Sequence, residues 1–125
     1  MSEMVHWPSE LRLKENGRVL YVQFEGAPAY ALAAEYLRVM SPSAEVQGHR
    51  AEERVTVGGK RQCAVIGIEP VGTYAVRLSF DDMHSTGIYT WDYLFELGSR
   101  YEEKWAFYEA ELKAKGLTRD RAGQA

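Results

Sequence analysis

Cysteine is nearly absent from this 125-residue chain, where Cys63 stands alone. A single thiol excludes an intrachain disulfide and any dithiol redox pair. Histidine is almost as scarce. His6, His49 and His84 are followed by Trp7-Pro8, Arg50-Ala51 and Ser85-Thr86, so no His-x-Asp or His-x-Glu pair exists for a non-haem iron triad. There is no surplus of positive charge either. Against 15 Lys and Arg stand 18 Asp and Glu, a formal net charge of -3, which removes the electrostatic reason to expect nucleic acid or an anionic membrane as a partner. No apolar run approaches the length of a membrane span, and the opening Met1-Ser2-Glu3-Met4-Val5-His6 has no basic region followed by an apolar core. Gly-x-Ser-x-Gly is missing, so neither Ser41 nor Ser85 has a nucleophile elbow, nor a base partner recognisable in the sequence. These absences describe a cytoplasmic protein, and the length allows one hydrophobic core without a second.

What is present begins with Asn16-Gly17, a strong hairpin signal, between Glu10 to Glu15 and Arg18 to Phe24. A two-residue turn there pairs Leu13 with Leu20 and Leu11 with Val22 on one face. After Gly26, Pro28 suits a first helical turn. Ala29, Leu32, Ala33, Tyr36, Leu37 and Met40 then recur at helical spacing, predicting a helix packed on the sheet. From Ser41 to Gly59 periodicity fades into a long loop, with His49 and Arg50 as candidate anion ligands and Val55-Thr56-Val57 as a short edge strand. Gln62 to Ile68 is apolar at nearly every position and predicts a central strand carrying Cys63 as a small buried hydrophobe.

Tyr74, Val76, Leu78 and Phe80 alternate with Ala75, Arg77 and Ser79, the period of a strand buried on one face. Asp81, Asp82 and Met83 break that pattern and His84 to Tyr89 resumes it, which predicts a return strand with Asp81, Asp82 and His84 at the tip. Three ionisable groups at a tip can bind a metal or ligand, and aspartate is also an ordinary turn residue. Thr90 then caps a helix beginning at Trp91, with Tyr93, Leu94 and Leu97 inward and Gly98 as an interruption. Ser99 and Glu102 have the spacing of a capping box opening a second helix to about Lys115. Its stripe of Tyr101, Trp105 and Tyr108 can pack on its own domain or serve as an interaction surface. Thr118 to Ala125 reads as a frayed tail.

Three segments together carry a resemblance: Leu37-Arg38 followed by Ser41-Pro42-Ser43-Ala44-Glu45; Ile68-Glu69-Pro70-Val71-Gly72; and the run from Phe80-Asp81-Asp82-Met83-His84 through Ser85-Thr86-Gly87-Ile88-Tyr89-Thr90 to Trp91. In these the chain resembles the gamma-butyrobetaine hydroxylase-like N-terminal domain, a domain of unknown function also called DUF971. The resemblance spans residues 9–97, leaving 98–116 as a helical extension and 117–125 as a tail. In metal-binding members it implies one structural zinc, held by a Cys-x-Cys-x-x-Cys cluster and the histidine of the later turn. Ser41, Ser43 and Val46 stand where those cysteines belong, so His84 alone keeps a ligand type, and hydroxyls with a valine do not make a closed zinc site. No cofactor is therefore expected, unless Glu45, Asp81, Asp82 or His49 rebuilds a site with His84. Many members also carry glycine where Met83 stands.

The expected fold is α+β: the hairpin and a three-strand meander joined in one largely antiparallel sheet, a helix across it, and C-terminal helices closing it. The family name comes from an enzyme whose catalytic domain is separate, so the resemblance implies a non-catalytic binding or assembly module. It further implies a protein partner or a homodimer, and a link to iron-sulfur or other cofactor assembly. The alternative is a metal-binding domain rebuilt around His84.

Overall fold

Alternating apolar residues and a reversal in left-handed backbone start the fold. The computed structural model describes residues 6–120. Strand β1 (Pro8–Lys14) pairs antiparallel with β2 (Val19–Phe24), and Leu11 lies opposite Val22 and Leu13 opposite Leu20, the expected register. The reversal is wider than two residues. Glu15, Asn16 and Gly17 all take positive φ, at 54°, 59° and 85°, before pairing resumes at Val19. Gly17 is needed for its size as well, since a Cβ there would sit 2.3 Å from the Val65 carbonyl oxygen.

The helix expected from Pro28 divides in two. Ala29–Ala33 is strand β3, antiparallel to β2, and only Ala34–Val39 is helical (α1). Alanine and leucine favour helix in isolation, but the gain is a few tenths of a kcal/mol and pairing with an open strand edge overrides it. The Ala34 N–H closes this ladder by donating to the Arg18 carbonyl at 2.8 Å. Where helix remains, Tyr36 and Leu37 of the expected stripe are buried, as is Met40 just past the helix, and Val39, outside the stripe, is buried too.

Strands β4 (Val65–Val71), β5 (Ala75–Phe80) and β6 (Ile88–Thr90) form the meander, as a second three-stranded antiparallel sheet rather than a continuation of the first. One backbone bond, Val65 N–H to the Gly17 carbonyl at 2.8 Å, reaches from β4 to the first hairpin. The apolar run before Glu69 does not make β4 central. A register shift between Val65 and Gly67 pushes Ile66 out to 62% exposure, and Pro70 has no N–H to give, so β4 is an edge and β5 the centre. Val76, Leu78 and Phe80 are buried as the alternation requires, while Tyr74 sits in the preceding turn and is exposed. Both sheets feed one core: Leu20, Val22, Phe24 and Leu32 from the first, Val65, Val76, Leu78 and Phe80 from the second. The class is α+β, in a single small domain.

The loop after α1 contains a short helix α2 (Ala44–Gln47), capped by Ser43 Oγ accepting from the Glu45 N–H, and a 3-10 turn at Ala51–Glu53; Val55–Val57 forms no strand. Helix α3 (Trp91–Ser99) starts on the expected cap, Thr90 Oγ1 accepting from the Tyr93 N–H at 3.1 Å. Gly98 does not interrupt it. Its missing Cβ, which would fall 2.4 Å from the Tyr30 ring, lets α3 lie against β3. One residue, Arg100, separates α3 from α4 (Tyr101–Ala114), so Ser99 is still helical and no capping box forms.

Helix α4 is no appendage, because Tyr108 and Leu112 enter the same core cluster. Buried and half-buried tyrosines tie the helices to the backbone. Tyr36 donates to the Leu97 carbonyl at 2.7 Å, Tyr89 to Leu37 at 2.5 Å, Tyr93 to Met40 at 2.6 Å and Tyr108 to Val57 at 2.5 Å. Each phenol thereby buries its ring without stranding its hydroxyl. Burial pushes the Tyr93 and Tyr108 phenols up to about 12.

The expected frayed tail is docked through Asp120. Thr118 and Arg119 carbonyls accept from the Gly59 and Arg61 N–H groups at 2.9 and 3.0 Å, and the Arg119 guanidinium grips Glu35 through two 2.7 Å bonds. Residues 121–125, the rest of that segment, lie outside the described residues. Among the described residues no helix is long and apolar enough to cross a membrane.

Candidate functional site

Strand β5 ends at Phe80, and Asp81, Asp82 and Met83 reverse the chain. The Met83 N–H donates to the Phe80 carbonyl at 3.0 Å and the Phe80 N–H to the His84 carbonyl at 2.9 Å, the pattern of a three-residue loop closed by one left-handed residue. That residue is Met83, at φ 74° and 81% exposed. The tip thus keeps the conformation that glycine would take, with a side chain that costs about 1 kcal/mol to place there.

The two aspartates meet different fates. Asp81 is exposed. Asp82 turns inward, where its carboxylate takes Lys60 Nζ at 2.6 Å, Arg38 Nε at 2.7 Å and the His84 N–H at 3.1 Å. Burial opposes its charge, but the Lys60, His84 and Arg38 bonds outweigh that and hold its carboxyl down at about 2. Beside it, Asp81, Asp82, Lys60 and Cys63 line a cleft of about 160 Å³. Burial, with Asp82 and Asp81 nearby, pushes the Cys63 thiol up to about 12, so it stays protonated and unreactive near neutrality.

His84 is buried, and both ring nitrogens are engaged. Nε2 lies 2.9 Å from Ser41 Oγ, and Nδ1 lies 3.1 Å from Glu45 Oε1. Ser43 Oγ meets Thr86 Oγ1 at 2.7 Å, and Thr86 in turn donates to Glu45 at 3.1 Å. Ser41 and His84, 43 residues apart, are thus neighbours, and Ser43 joins them through its own N–H on Ser41 Oγ at 3.2 Å. Val46, the remaining position the resemblance singles out, is buried and brings no donor. Among the described residues no group of three His, Cys, Asp or Glu side chains is placed to hold a metal ion. Asp82 is committed to Lys60 and Arg38. His49 is exposed, its backbone N–H donating to Glu53. The residues present do not fit a closed zinc site, and the polar network satisfies itself instead.

No base for Ser41 is recognisable in the sequence, whereas the fold supplies one: Ser41, His84 and Glu45 form a hydroxyl–imidazole–carboxylate chain. Its hydroxyl is closed off from solvent. Ser41 is fully buried, and Gly87 presses so close that a Cβ on it would lie 2.5 Å from Ser41 Oγ. Burial, then the Arg38 charge, lowers the imidazole pKa despite Glu45 and Asp82, so the neutral ring is the stabilising form. That stability is complete above the unfolded imidazole value of about 6.5 and is lost as pH falls through the lower folded value. Urea unfolding is expected to show stability falling as pH drops below about 6.5. His84→Asn should flatten that slope; an unchanged slope would assign it to other groups.

On α4, Tyr108 is wholly buried and therefore unavailable to a partner in this conformation, Trp105 is half-buried, and Tyr101 stacks on Trp105 with its outer face exposed. The most exposed aromatic of the helix is Phe107, at 54%, with the Arg54 guanidinium 5.7 Å from its ring centre.

Three solved structures resemble this one closely. One solution NMR structure is 44% identical, covers 96% of this chain and 97% of its own, and superimposes with a TM-score of 0.78. A second is 38% identical over 100% of this chain and 98% of its own, with a TM-score of 0.79. The third is a crystal structure of a protein of unknown function of the DUF971 family from Acidithiobacillus ferrooxidans, 38% identical over 73% of this chain and 91% of its own, with a TM-score of 0.60. No curated protein matches. The two NMR structures cover α4, which lies beyond the family model's reach. That model, gamma-butyrobetaine hydroxylase-like, N-terminal, matches residues 11–95, from within β1 to within α3, with β2 to β6 and the tip at Asp81–His84 included, and the chain belongs to this family.

Proposed function

We propose that the domain is a non-catalytic binding or assembly module that meets a protein partner with the tip at Asp81–Met83. The observation that supports this most is Met83: a flexible apolar side chain, 81% exposed, held at an apex in a backbone conformation that disfavours it. Strain of this kind persists where the surrounding structure over-determines it, and it clusters at binding sites. Methionine also suits a contact that must adapt to its partner. The inert thiol and the enclosed Ser41–His84 pair support a role without catalysis or a resident cofactor. A lone buried cysteine fits a reducing cytoplasm. Iron-sulfur or other cofactor assembly is the finer reading that the family resemblance favours.

A photo-crosslinking residue at position 83, with another at exposed Glu102 as control, tests this in cells that express the chain. Adducts are expected at 83 and not at 102, and the identity of the partner decides the assembly reading. Met83→Gly should raise stability by about 1 kcal/mol in chemical unfolding while reducing capture of that partner. Equal adducts at both positions, or capture undiminished by Met83→Gly, would remove the tip as the contact.

A further inference from the structure

The two sheets present edges at β1, β3, β4 and β6, and three of them are guarded. β1 opens with Pro8 and a register shift between Pro8 and Glu10, and bears Glu10, Arg12 and Lys14. β4 carries the Ile66 bulge, Glu69 and Pro70. β6 is three residues long. Bulges, prolines, charges and brevity are the devices that stop a sheet edge from templating another strand. β3, Ala29-Tyr30-Ala31-Leu32-Ala33, has none of them.

Its free backbone groups can be located. Ala34 N–H donates to the Arg18 carbonyl, and Ala34 with Arg18 continues the β2–β3 register, so Leu32 and Tyr30 face β2. Ala29, Ala31 and Ala33 therefore turn their N–H groups, and Ala29 and Ala31 their carbonyls, to the open side. No hydrogen bond among the described residues is made by Ala31 outside its own sheet. Beside the edge runs an open groove of about 260 Å³, lined by Ala31, Leu32, Ala33, Gly98 and Tyr101.

We propose that β3 pairs with β3 of a second copy of this chain, antiparallel about Ala31, joining two three-stranded sheets into one of six. The strand is self-complementary. Pairing about Ala31 sets Ala29 opposite the second copy's Ala33 on one face and Tyr30 opposite its Leu32 on the other. Four main-chain bonds form: two between the Ala31 residues, and one from each Ala33 N–H to the opposing Ala29 carbonyl. The strand bears no charge, so like charges never face each other, as they would if β1 paired with itself. Five residues bury far less than a stable dimer needs, so the contact is a concentration-dependent one. It rests on the preceding reading only in that both make the domain a protein-contact module. The edge lies in the other sheet from the tip at Asp81–Met83, so crosslinking at 83 and self-pairing fail independently.

Sedimentation velocity and amide exchange on the whole chain, from about 10 µM to about 1 mM, test it. The expected result is a rising weight-average mass, with Ala31 and Ala33 amides becoming protected as concentration rises. Ala31→Pro, which removes an outward N–H from an edge position, should weaken association roughly tenfold or more. Ala31→Lys, placing like charges across the two-fold axis, should do the same. A monomer throughout, with Ala31 and Ala33 amides exchanging freely at every concentration, overturns the proposal even if either variant misfolds. So does a dimer whose protected amides lie elsewhere.

Discussion

Replacing Arg119 by alanine is expected to lower the free energy of unfolding by about 2–3 kcal/mol, a large share of a small domain's stability. Glu35 is the reason. Its side chain keeps only 7% exposure, and Arg119 supplies both of its hydrogen bonds at 2.7 Å. Without the guanidinium a carboxylate stays buried and unpaired, which is far more costly than never having the pair. Arg119 itself is 31% exposed, so water screens the pair and the loss falls below the ~3–5 kcal/mol of a fully buried one. The guanidinium also lies 5.2 Å from the centre of the Trp105 ring, a contact worth about 0.5–1 kcal/mol that goes with it. Urea unfolding of Arg119→Ala, Glu35→Gln and the double variant closes the cycle. The double variant should recover part of the loss, because the stranded charge is gone. If Arg119→Ala unfolded within about 0.5 kcal/mol of the parent, residues 117–120 would not be the anchored segment described above.

This segment also shows where sequence reading ends. Nothing local to Thr118-Arg119-Asp120 distinguishes it from a frayed terminus. Its order comes from Glu35, Gly59 and Arg61, which only the fold brings near. The first hairpin was legible because turn chemistry and alternation agree within a dozen residues. The same holds for the Thr90 cap and for Val76, Leu78 and Phe80 as a buried face. β3 was not legible, because Ala-Tyr-Ala-Leu-Ala satisfies a helical period as well as a strand one, and the open edge of β2 decided between them. β4 misled for the opposite reason. Its apolar run has the composition of a central strand, and the Ile66 bulge that makes it an edge depends on its register with β5.

The candidate site divides the same way. Asp81, Asp82, Met83 and His84 at one tip follow from the break in alternation, and Met83 at positive φ follows from the glycine it replaces. That Ser41 and Ser43 lie beside His84 was implied by the family resemblance rather than by spacing. Glu45 stood among the groups that could surround His84, whereas Arg38 and Lys60 as the partners of Asp82 carried no sequence signal. Each is a long side chain reaching across more than 20 residues to a group that many others of its type could have met.

Asp82→Asn separates the two neighbouring aspartates and is expected to cost about 2–4 kcal/mol. Asparagine keeps the shape and can still accept the His84 N–H. It removes the only charge between Lys60 and Arg38, whose side chains are 22% and 11% exposed. Arg38 has little to fall back on, since its Nη1 is buried without a hydrogen-bond partner already. The same pair sets a pH dependence. With the Asp82 carboxyl held at about 2 in the folded state, against 3.8 ordinarily, its contribution is complete above about pH 4 and is lost as pH falls toward 2. That loss, about 2 kcal/mol, should be missing from the acid limb of Asp82→Asn. Asp81→Asn, at an exposed site, should stay within about 0.5 kcal/mol of the parent. Equal and small effects at both positions would mean that the cluster contributes no net stability. Unequal effects would mean that Asp82 fixes the tip from behind through Arg38 and Lys60, which is what a strained Met83 needs to stay at the apex. Asp82→Asn would then weaken any contact made through Met83 without touching the partner.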